Sequence, residues 1–171
     1  METSLPLLGI LLIALALPSL SDPAEPNPGV VGARKLATAV DCSGAVAFSA
    51  AGVNPSSTRG QLSYQRPLND RGVGWSLETG EFTCHCPGLY HFAFSGYGEK
   101  PDTRLMLKKR VANTTEWTDV VAAGGPHSGG GSSVALLDLE VGDVTAVFLQ
   151  EGNLLQDTTS ASFSGYRIIK K

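Results

Sequence analysis

The stretch from Gly80 to Tyr97 has the sequence GEFTCHCPGLYHFAFSGY, and it decides the fold class. In its second half, aromatic side chains occupy every second position, at Tyr90, Phe92 and Phe94. Successive side chains of a β-strand point to opposite faces, so these three rings form one continuous apolar face. A Pro-Gly pair ahead of them lacks one amide donor and separates two extended segments. The pattern predicts two segments, of which the second is a core strand: Glu81–Cys86 and Leu89–Tyr97.

Length and composition favour one domain rich in β-structure. The chain has 171 residues, of which 42% are hydrophobic, and its 20 glycines and 10 prolines supply many tight turns. The formal net charge is −3. A nucleic-acid partner requires a basic excess, so this class of function is not expected.

The beginning of the chain is typical of a secreted protein. The run from Leu5 to Leu17 is apolar and short for a bilayer span, and small residues follow it at Ser19 and Ser21. Glu2 departs from the positive start of a usual signal, and a signal anchor is the alternative. We expect a signal peptide at 1–21, a flexible Pro/Gly-containing arm at 22–42 and a globular domain at 43–171. The product is then secreted and extracellular, with no stable membrane insertion.

Short apolar runs separated by turn residues follow the arm. Alternation around Val73, Trp75 and Leu77 adds one extended segment, and Asn69–Gly72 has the composition of a turn. The remaining runs predict strands at Ala45–Ala50, Gln61–Arg66, Arg104–Ala112, Trp117–Ala123, Ser132–Leu139, Val144–Gln150 and Ala161–Ile169. Ten or so short strands without an amphipathic helix indicate an all-β sandwich or barrel.

The strand Val144–Leu149 is apolar on both of its faces. A strand at a solvated sheet surface is polar on one side, so the second face of this strand must also be covered. Either the chain itself or a neighbouring subunit provides the cover. The apolar end of the chain, with Phe163, Tyr166, Ile168 and Ile169, raises the same question. Pattern alone favours association over a monomer.

Several short motifs are distributed along the predicted strands and turns. They are Phe48-Ser49-Ala50, Leu68-Asn69, Gly80–Cys84, Pro87–Phe92, Leu137–Leu139 with Gly142-Asp143, and Phe163–Tyr166. Together these motifs resemble the globular head of complement C1q, and their order and spacing match that domain from about Ala45 to Ile169.

The resemblance implies a ten-stranded jelly roll like that of the tumour-necrosis-factor ligands, assembled as a homotrimer around its inner sheets. Glycine does not recur at every third residue, so the collagen stem of many relatives is not expected, and the chain looks like a head-only member. The residues expected to form the core or the trimer contact are Phe48, Phe82, Tyr90, Phe92, Phe94, Val147, Phe148, Leu149, Phe163, Gly165 and Tyr166.

The cysteines depart from the family pattern. In complement chains the cysteine that matches Cys84 pairs with one on the next strand, and the corresponding segment here, Leu105–Lys109, has none. Cys84 and Cys86 are two residues apart on one face of a strand and are badly placed to bridge each other. Two outcomes stay open. Either Cys42 bonds to one of them and leaves the other free, which is preferred, or Cys42 links subunits.

No catalytic arrangement is expected. In a strand, His85 would point away from the sulfurs of Cys84 and Cys86, and a zinc site needs longer spacing and a fourth ligand. The three histidines, at 85, 91 and 127, provide no triad, and we therefore expect no enzyme. No cofactor is required. Asp138, Glu140 and Asp143 offer oxygens for calcium, and some family members bind calcium near the trimer apex, but a metal site stays unassigned.

The remaining candidate sites are one basic run and one glycosylation motif. Lys108, Lys109 and Arg110 form the only dense positive run, which would attract sulfated glycans or anionic microbial surfaces if it were repeated in a trimer. The ordinary alternative is a solvated hairpin end. Asn113-Thr114-Thr115 is a glycosylation sequon, and a glycan there would partly shield the run.

These observations predict a secreted, non-enzymatic recognition module with a carbohydrate or protein ligand. Glycans, microbial surfaces and extracellular proteins are the expected ligand classes, because weak contacts gain avidity when a trimer presents them together. The alternative is a signalling ligand that engages a cell-surface receptor. Both functions use the same scaffold and place their contacts in loops.

Overall fold

A computed structural model describes residues 42–57, 59–72 and 74–171 of the chain. The expected signal peptide and nearly all of the expected arm lie outside these residues. The described part contains ten β-strands and no helix. The strands are β1 (Ala47–Val53), β2 (Gly60–Gln61), β3 (Tyr64–Arg71), β4 (Phe82–Thr83), β5 (Gly88–Tyr97), β6 (Arg104–Arg110), β7 (Trp117–Gly124), β8 (Gly130–Leu139), β9 (Val144–Glu151) and β10 (Ala161–Lys170).

The strands form two antiparallel sheets that enclose one hydrophobic core. The first sheet has the order β3-β1-β10-β5-β8, and the second has the order β2-β9-β6-β7 with β4 paired to β9. Ring contacts cross between the sheets, as between Phe82 of β4 and Phe92 of β5, whose centroids are 5.9 Å apart. The predicted ten-stranded jelly roll is therefore confirmed.

Strand β5 lies inside the first sheet, between β10 and β8. Its buried and half-buried residues alternate along its length, with Tyr90, Phe92 and Phe94 in the core and His91 on the other side. At β10, Gly165 lies opposite Phe92, and an added Cβ would come within 2.7 Å of the Phe48 and Phe92 rings. The aromatic core thus requires a glycine in the neighbouring strand.

The predicted turn at Asn69–Gly72 is wrong, because Asn69 to Arg71 belong to β3 and pair with β1. Polar residues are tolerated there because β3 is an edge strand whose residues after Tyr64 are all exposed. The chain bends directly after β3, at Gly72, which is the last residue of the predicted turn and has a φ of +100°.

The predicted strand Gln61–Arg66 is interrupted at Leu62 and Ser63. Here the chain crosses from β2 in the second sheet to β3 in the first, and the Leu62 amide donates to the carbonyl of Val147. Trp75 forms a single bridge to Phe82 rather than part of a strand, because the chain turns at 77–79, where the Gly80 amide donates to the Ser76 carbonyl. The Trp75 ring stacks on that of Phe48, with 4.2 Å between centroids. Val73 lies outside the described residues. Of Glu81–Cys86, only Phe82–Thr83 is a strand.

Candidate functional site

The outer side of the first sheet faces away from the hydrophobic core, and we call it the open face. The register places its side chains in three rows that run from β3 to β8. The rows are Arg71, Ala47, Tyr166, His91 and Leu136; Asn69, Ser49, Ser164, Ala93 and Val134; and Arg66, Ala51, Ser162, Ser95 and Ser132.

Large apolar side chains of the open face are exposed. The exposed fraction is 61% for Val134 and 59% for Leu136 on β8, and 48% for Tyr166 on β10. Ile168 and Ile169, at the end of β10, are 45% and 60% exposed. These exposed apolar side chains lie on β8 and β10, the two strands that flank β5. A cluster of this kind is typical of surfaces that take part in association.

Charge on the open face is confined to its two edges. Arg66 and Arg71 lie on the β3 edge, and Asp138 lies on the β8 edge opposite Leu89. Between the edges, the rows contain mainly alanine and serine, including a hydrogen-bonded pair, Ser95 and Ser162, with 2.8 Å between the oxygens. Between the edges, the rows that contain Ser164 and Ser162 have only small side chains, so another backbone can approach the face closely there.

The two-sided apolar pattern of β9 has an explanation inside the chain. Val147 and Leu149 point into the core and are at most 3% exposed. Phe148, on the other side, is half-buried against the edge of the Trp117 ring at 5.0 Å, and the Lys108 ammonium lies 5.1 Å from its centroid. The sequence predicted that either the chain itself or a neighbouring subunit covers the second face of β9. At Phe148 the chain itself provides the cover. The uncovered apolar surface lies on the first sheet instead.

Two of the residues predicted to form the core or the trimer contact lie on the surface of the domain, and the others lie in its core. Tyr166 lies on the open face, where its ring packs against His91, and Phe148 lies on the outer side of the second sheet. The remaining predicted residues are buried: Phe48, Phe82, Tyr90, Phe92, Phe94, Val147, Leu149, Phe163 and Gly165.

Each cation of the basic run has an acidic partner in the same chain. Lys108 pairs with Asp119 at 2.9 Å, Lys109 pairs with Asp143 at 2.7 Å, and Arg110 lies 3.6 Å from Glu81. The Arg110 guanidinium also lies over the Trp117 ring, 4.6 Å from its centroid. The run on β6 therefore carries much less net charge than the sequence suggests. The local sequence of β6 predicted the strand but gave no sign of its acidic partners, which lie on other segments of the chain.

Asp143 joins the turn before β9 to neighbouring connections. Its carboxylate accepts the amides of Ala112 and Glu140 at 3.0 and 3.1 Å, as well as the Lys109 ammonium. Burial alone would raise the pKa of Asp143, but the Lys109 ammonium and the two amides together lower it below the usual range.

The three candidate calcium ligands do not form one oxygen cluster. Asp143 is already engaged by three donors, and Glu140 pairs with Lys171. Across the described ranges, no three His, Cys, Asp or Glu side chains converge as metal ligands would. These residues do not fit a calcium ion held by one chain.

The cysteines form one disulfide and leave one thiol. Cys42 is bonded to Cys86, with 5.5 Å between their Cα atoms, and Cys84 is free and buried. Burial raises the pKa of the Cys84 thiol, whose sulfur lies 4.0 Å from the Tyr90 hydroxyl. The bridge fixes the segment before β1 to the connection before β5.

The sequon occupies an exposed turn between β6 and β7. Asn113 has a φ of +62°, and residues 113–116 are all exposed. The Thr114 amide and hydroxyl both donate to the Val111 carbonyl, at 3.1 and 2.8 Å, and hold the turn. The side chain of Asn113 is thus presented to solvent.

The connections gather at two ends of the domain. The sequon turn, the turn before β9 and residues near both ends of the described chain share one end, which we call the terminal end; Ala112 bonds to Asp143 there, and Arg167 bonds to the Cys42 carbonyl. The opposite end, the loop end, contains 98–103, 125–129 and 152–160, linked by bonds such as Glu99 N to Asn153 O at 3.1 Å.

Solved structures share this fold. The globular domain of a zebrafish complement 1qA protein is 23% identical, with a TM-score of 0.56, and the match covers 74% of this chain and 99% of that one. Murine APRIL is 10% identical, with a TM-score of 0.58 and coverage of 73% and 100%. A tumour-necrosis-factor protein, Eiger, from S. frugiperda is 18% identical, with a TM-score of 0.57 and coverage of 74% and 94%.

The sequence comparison is more specific than the fold. A family model described as the C1q domain matches residues 47–168, which include β1 and nearly all of β10. In the described part of the chain, no helix has the length and apolarity needed to cross a bilayer. With the matched motifs in the positions that the resemblance requires, the chain belongs to the C1q domain family.

Proposed function

We propose that this chain is a secreted, non-enzymatic recognition module that acts as a homotrimer. The observation that carries the proposal is the open face, where Val134, Leu136 and Tyr166 are about half exposed or more. Burial of such a patch contributes roughly 25 cal/mol per Å² of apolar surface, which favours association of copies over a solvated monomer.

A closed ring suits the asymmetry of the face. Its β8 edge carries the apolar pair Val134 and Leu136, whereas its β3 edge carries Arg66 and Arg71. Contacts between unlike edges repeat around a cyclic assembly, and they close when the rotation between copies is suitable. The C1q resemblance implies three copies.

Ligand contact is proposed at the loop end. The terminal end holds the Cys42–Cys86 bridge and the sequon turn, so a glycan on Asn113 would occupy solvent at that end. Loops at the other end would be displayed together by three copies, which raises avidity for glycans, microbial surfaces or extracellular proteins. The basic run is a weaker candidate, because Asp119, Asp143 and Glu81 offset its charge.

The assembly is tested by the solution mass of purified protein, measured by sedimentation. We expect three chains for the wild type and a single chain for Leu136→Glu, because a carboxylate would be buried against the neighbouring copy. Val141→Glu is the matched control, since Val141 is also 59% exposed but lies in the turn beyond β8. A wild-type protein that stays a single chain at high concentration would contradict the proposal.

Recognition is tested with the assembled protein on panels of neutral, sulfated and microbial glycans, and on cells stripped of glycosaminoglycans. Glycan binding that Leu136→Glu weakens by at least tenfold would support multivalent recognition. Saturable binding to the stripped cells alone would favour a receptor ligand instead. Repeating both assays with a chelator tests whether calcium takes part.

A further inference from the structure

A single histidine lies in the middle of the open face. His91 is half-buried on β5, opposite Tyr166 of β10 and Leu136 of β8. Its ring packs against that of Tyr166, with 5.1 Å between centroids and 30° between planes. Along β5, Leu89 and Ala93 are its neighbours on the same face. An imidazole therefore occupies the apolar part of the surface that the proposed homotrimer buries.

Few charged groups face His91 from the elements around it. On β10, the residue directly opposite His91 is Tyr166, which carries a titratable phenol. On β1, the residue in the same row is Ala47. On β8, Asp138 is exposed and diagonal to His91, opposite Leu89, while the direct neighbour is Leu136. Arg71 lies at the far end of the same row, on β3, and Arg66 lies two rows away. Among the described residues, no carboxylate lies directly opposite His91 to balance a positive charge.

We propose that proton binding by His91 opposes assembly, so that the homotrimer comes apart under mildly acidic conditions. This inference rests on the proposed function, because it concerns the same open face. In a three-fold assembly, three copies of the imidazole enter equivalent, partly dehydrated positions. A charged group that loses water without gaining a partner is unfavourable, and an ordinary imidazole changes charge between about pH 5 and 8.

The direction of the pH effect follows from the linkage between proton binding and assembly. An imidazole in water accepts a proton more readily than one enclosed in an apolar contact, so a fall in pH favours single chains over an assembly that buries imidazoles. Assembly should therefore be strongest at neutral and higher pH, and it should weaken in mildly acidic solution.

The other two histidines provide controls. His127 lies in the loop between β7 and β8, where its backbone amide donates to Asp102 at 2.8 Å. His85 lies in the connection between β4 and β5, outside the strands that form the open face. Neither belongs to the three rows, so neither should affect the pH response.

The test is sedimentation of the wild type, His91→Phe, His91→Lys and His127→Gln at about pH 7.5 and about pH 5.5. We expect the concentration for half-assembly of the wild type and of His127→Gln to rise at least about tenfold at the lower pH. His91→Phe keeps a ring against Tyr166 but cannot bind a proton, so it should stay assembled at both values. His91→Lys should be a single chain at both.

Circular dichroism at each pH shows whether the chains stay folded. Equal weakening of the wild type and His91→Phe at the lower pH would overturn the inference, as would a wild-type assembly that does not respond to pH or one that separates only by unfolding. In those cases the homotrimer itself would still stand. A wild type that is a single chain at about pH 7.5 would instead overturn the proposed assembly, and the inference with it.

Discussion

At the scale of single residues, Asp143 links three parts of the terminal end. Its side chain is 3% exposed and accepts hydrogen bonds from the amides of Ala112 and Glu140 and from Lys109. A buried carboxylate with three donors is favourable only while it is ionised. The residue therefore couples the turn before β9 to β6 in a way that depends on pH.

We expect Asp143→Asn to lower the free energy of unfolding by about 2 kcal/mol at neutral pH, because it leaves Lys109 without its charged partner. The folded pKa of Asp143 is lowered, so its stabilisation is complete above the unfolded value of about 3.9 and is lost as pH falls through the folded value. The variant should show less acid destabilisation in denaturant titrations at different pH.

Asp119→Asn is the control. Asp119 also pairs with a lysine, Lys108, but its side chain is 52% exposed, so this substitution should lower the free energy of unfolding by less than about 1 kcal/mol. Equal losses for the two variants would contradict the role given to Asp143.

At the scale of elements, the Cys42–Cys86 disulfide fastens the chain ahead of β1 to the connection that leads into β5. The two cysteines are 44 residues apart in sequence, so reduction frees a long loop in the unfolded chain. Arg167 and Lys170 of β10 also bond to carbonyls of residues 42–44, so three elements meet there.

We expect Cys42→Ser to lower the free energy of unfolding by about 2–4 kcal/mol, measured by denaturant titration without reductant. Cys84→Ala should preserve the disulfide, because Cys84 is the buried free thiol. Peptide mapping of the unreduced wild type should give the Cys42–Cys86 pair and one alkylated residue, Cys84, after denaturation. A Cys42–Cys84 peptide would contradict this assignment.

At the scale of the whole molecule, the domain has two ends with different contents. The terminal end carries the sequon turn, and the loop end carries the connections proposed to contact ligand. Since Asn113 lies in the turn between β6 and β7 of the second sheet, a glycan on it does not need to cross the open face. Glycosylation and assembly should therefore be compatible.

We expect protein secreted from eukaryotic cells to lose mass when treated with an N-glycosidase, while the number of chains per assembly stays constant. Thr115→Ala removes the sequon and should abolish the mass change. Thr114→Ala is the matched control, because it alters the same turn but leaves the Asn-X-Thr pattern intact. An unchanged mass for the wild type, or assembly that depends on the glycan, would contradict this prediction.

Much of the fold followed from local pattern. The period of two in Tyr90, Phe92 and Phe94 predicted both the strand and its buried face, because strand geometry is repeated at every residue. The spaced C1q-like motifs predicted the jelly roll, which is confirmed. Boundaries were less accurate at β3, where Asn69 and Asp70 have turn-forming composition but lie in an exposed edge strand.

Periodicity and short motifs were therefore sufficient to predict the β class, the core aromatic face and the family. The tertiary structure alone decided which cysteine pairs with Cys42, that Trp117 covers Phe148, and that Asp119, Asp143 and Glu81 offset the basic run. It also showed that the exposed apolar side chains Val134, Leu136 and Tyr166 lie on the open face. The physical reason is that each of these contacts joins residues from different strands, and their proximity is set by sheet order and register rather than by local sequence.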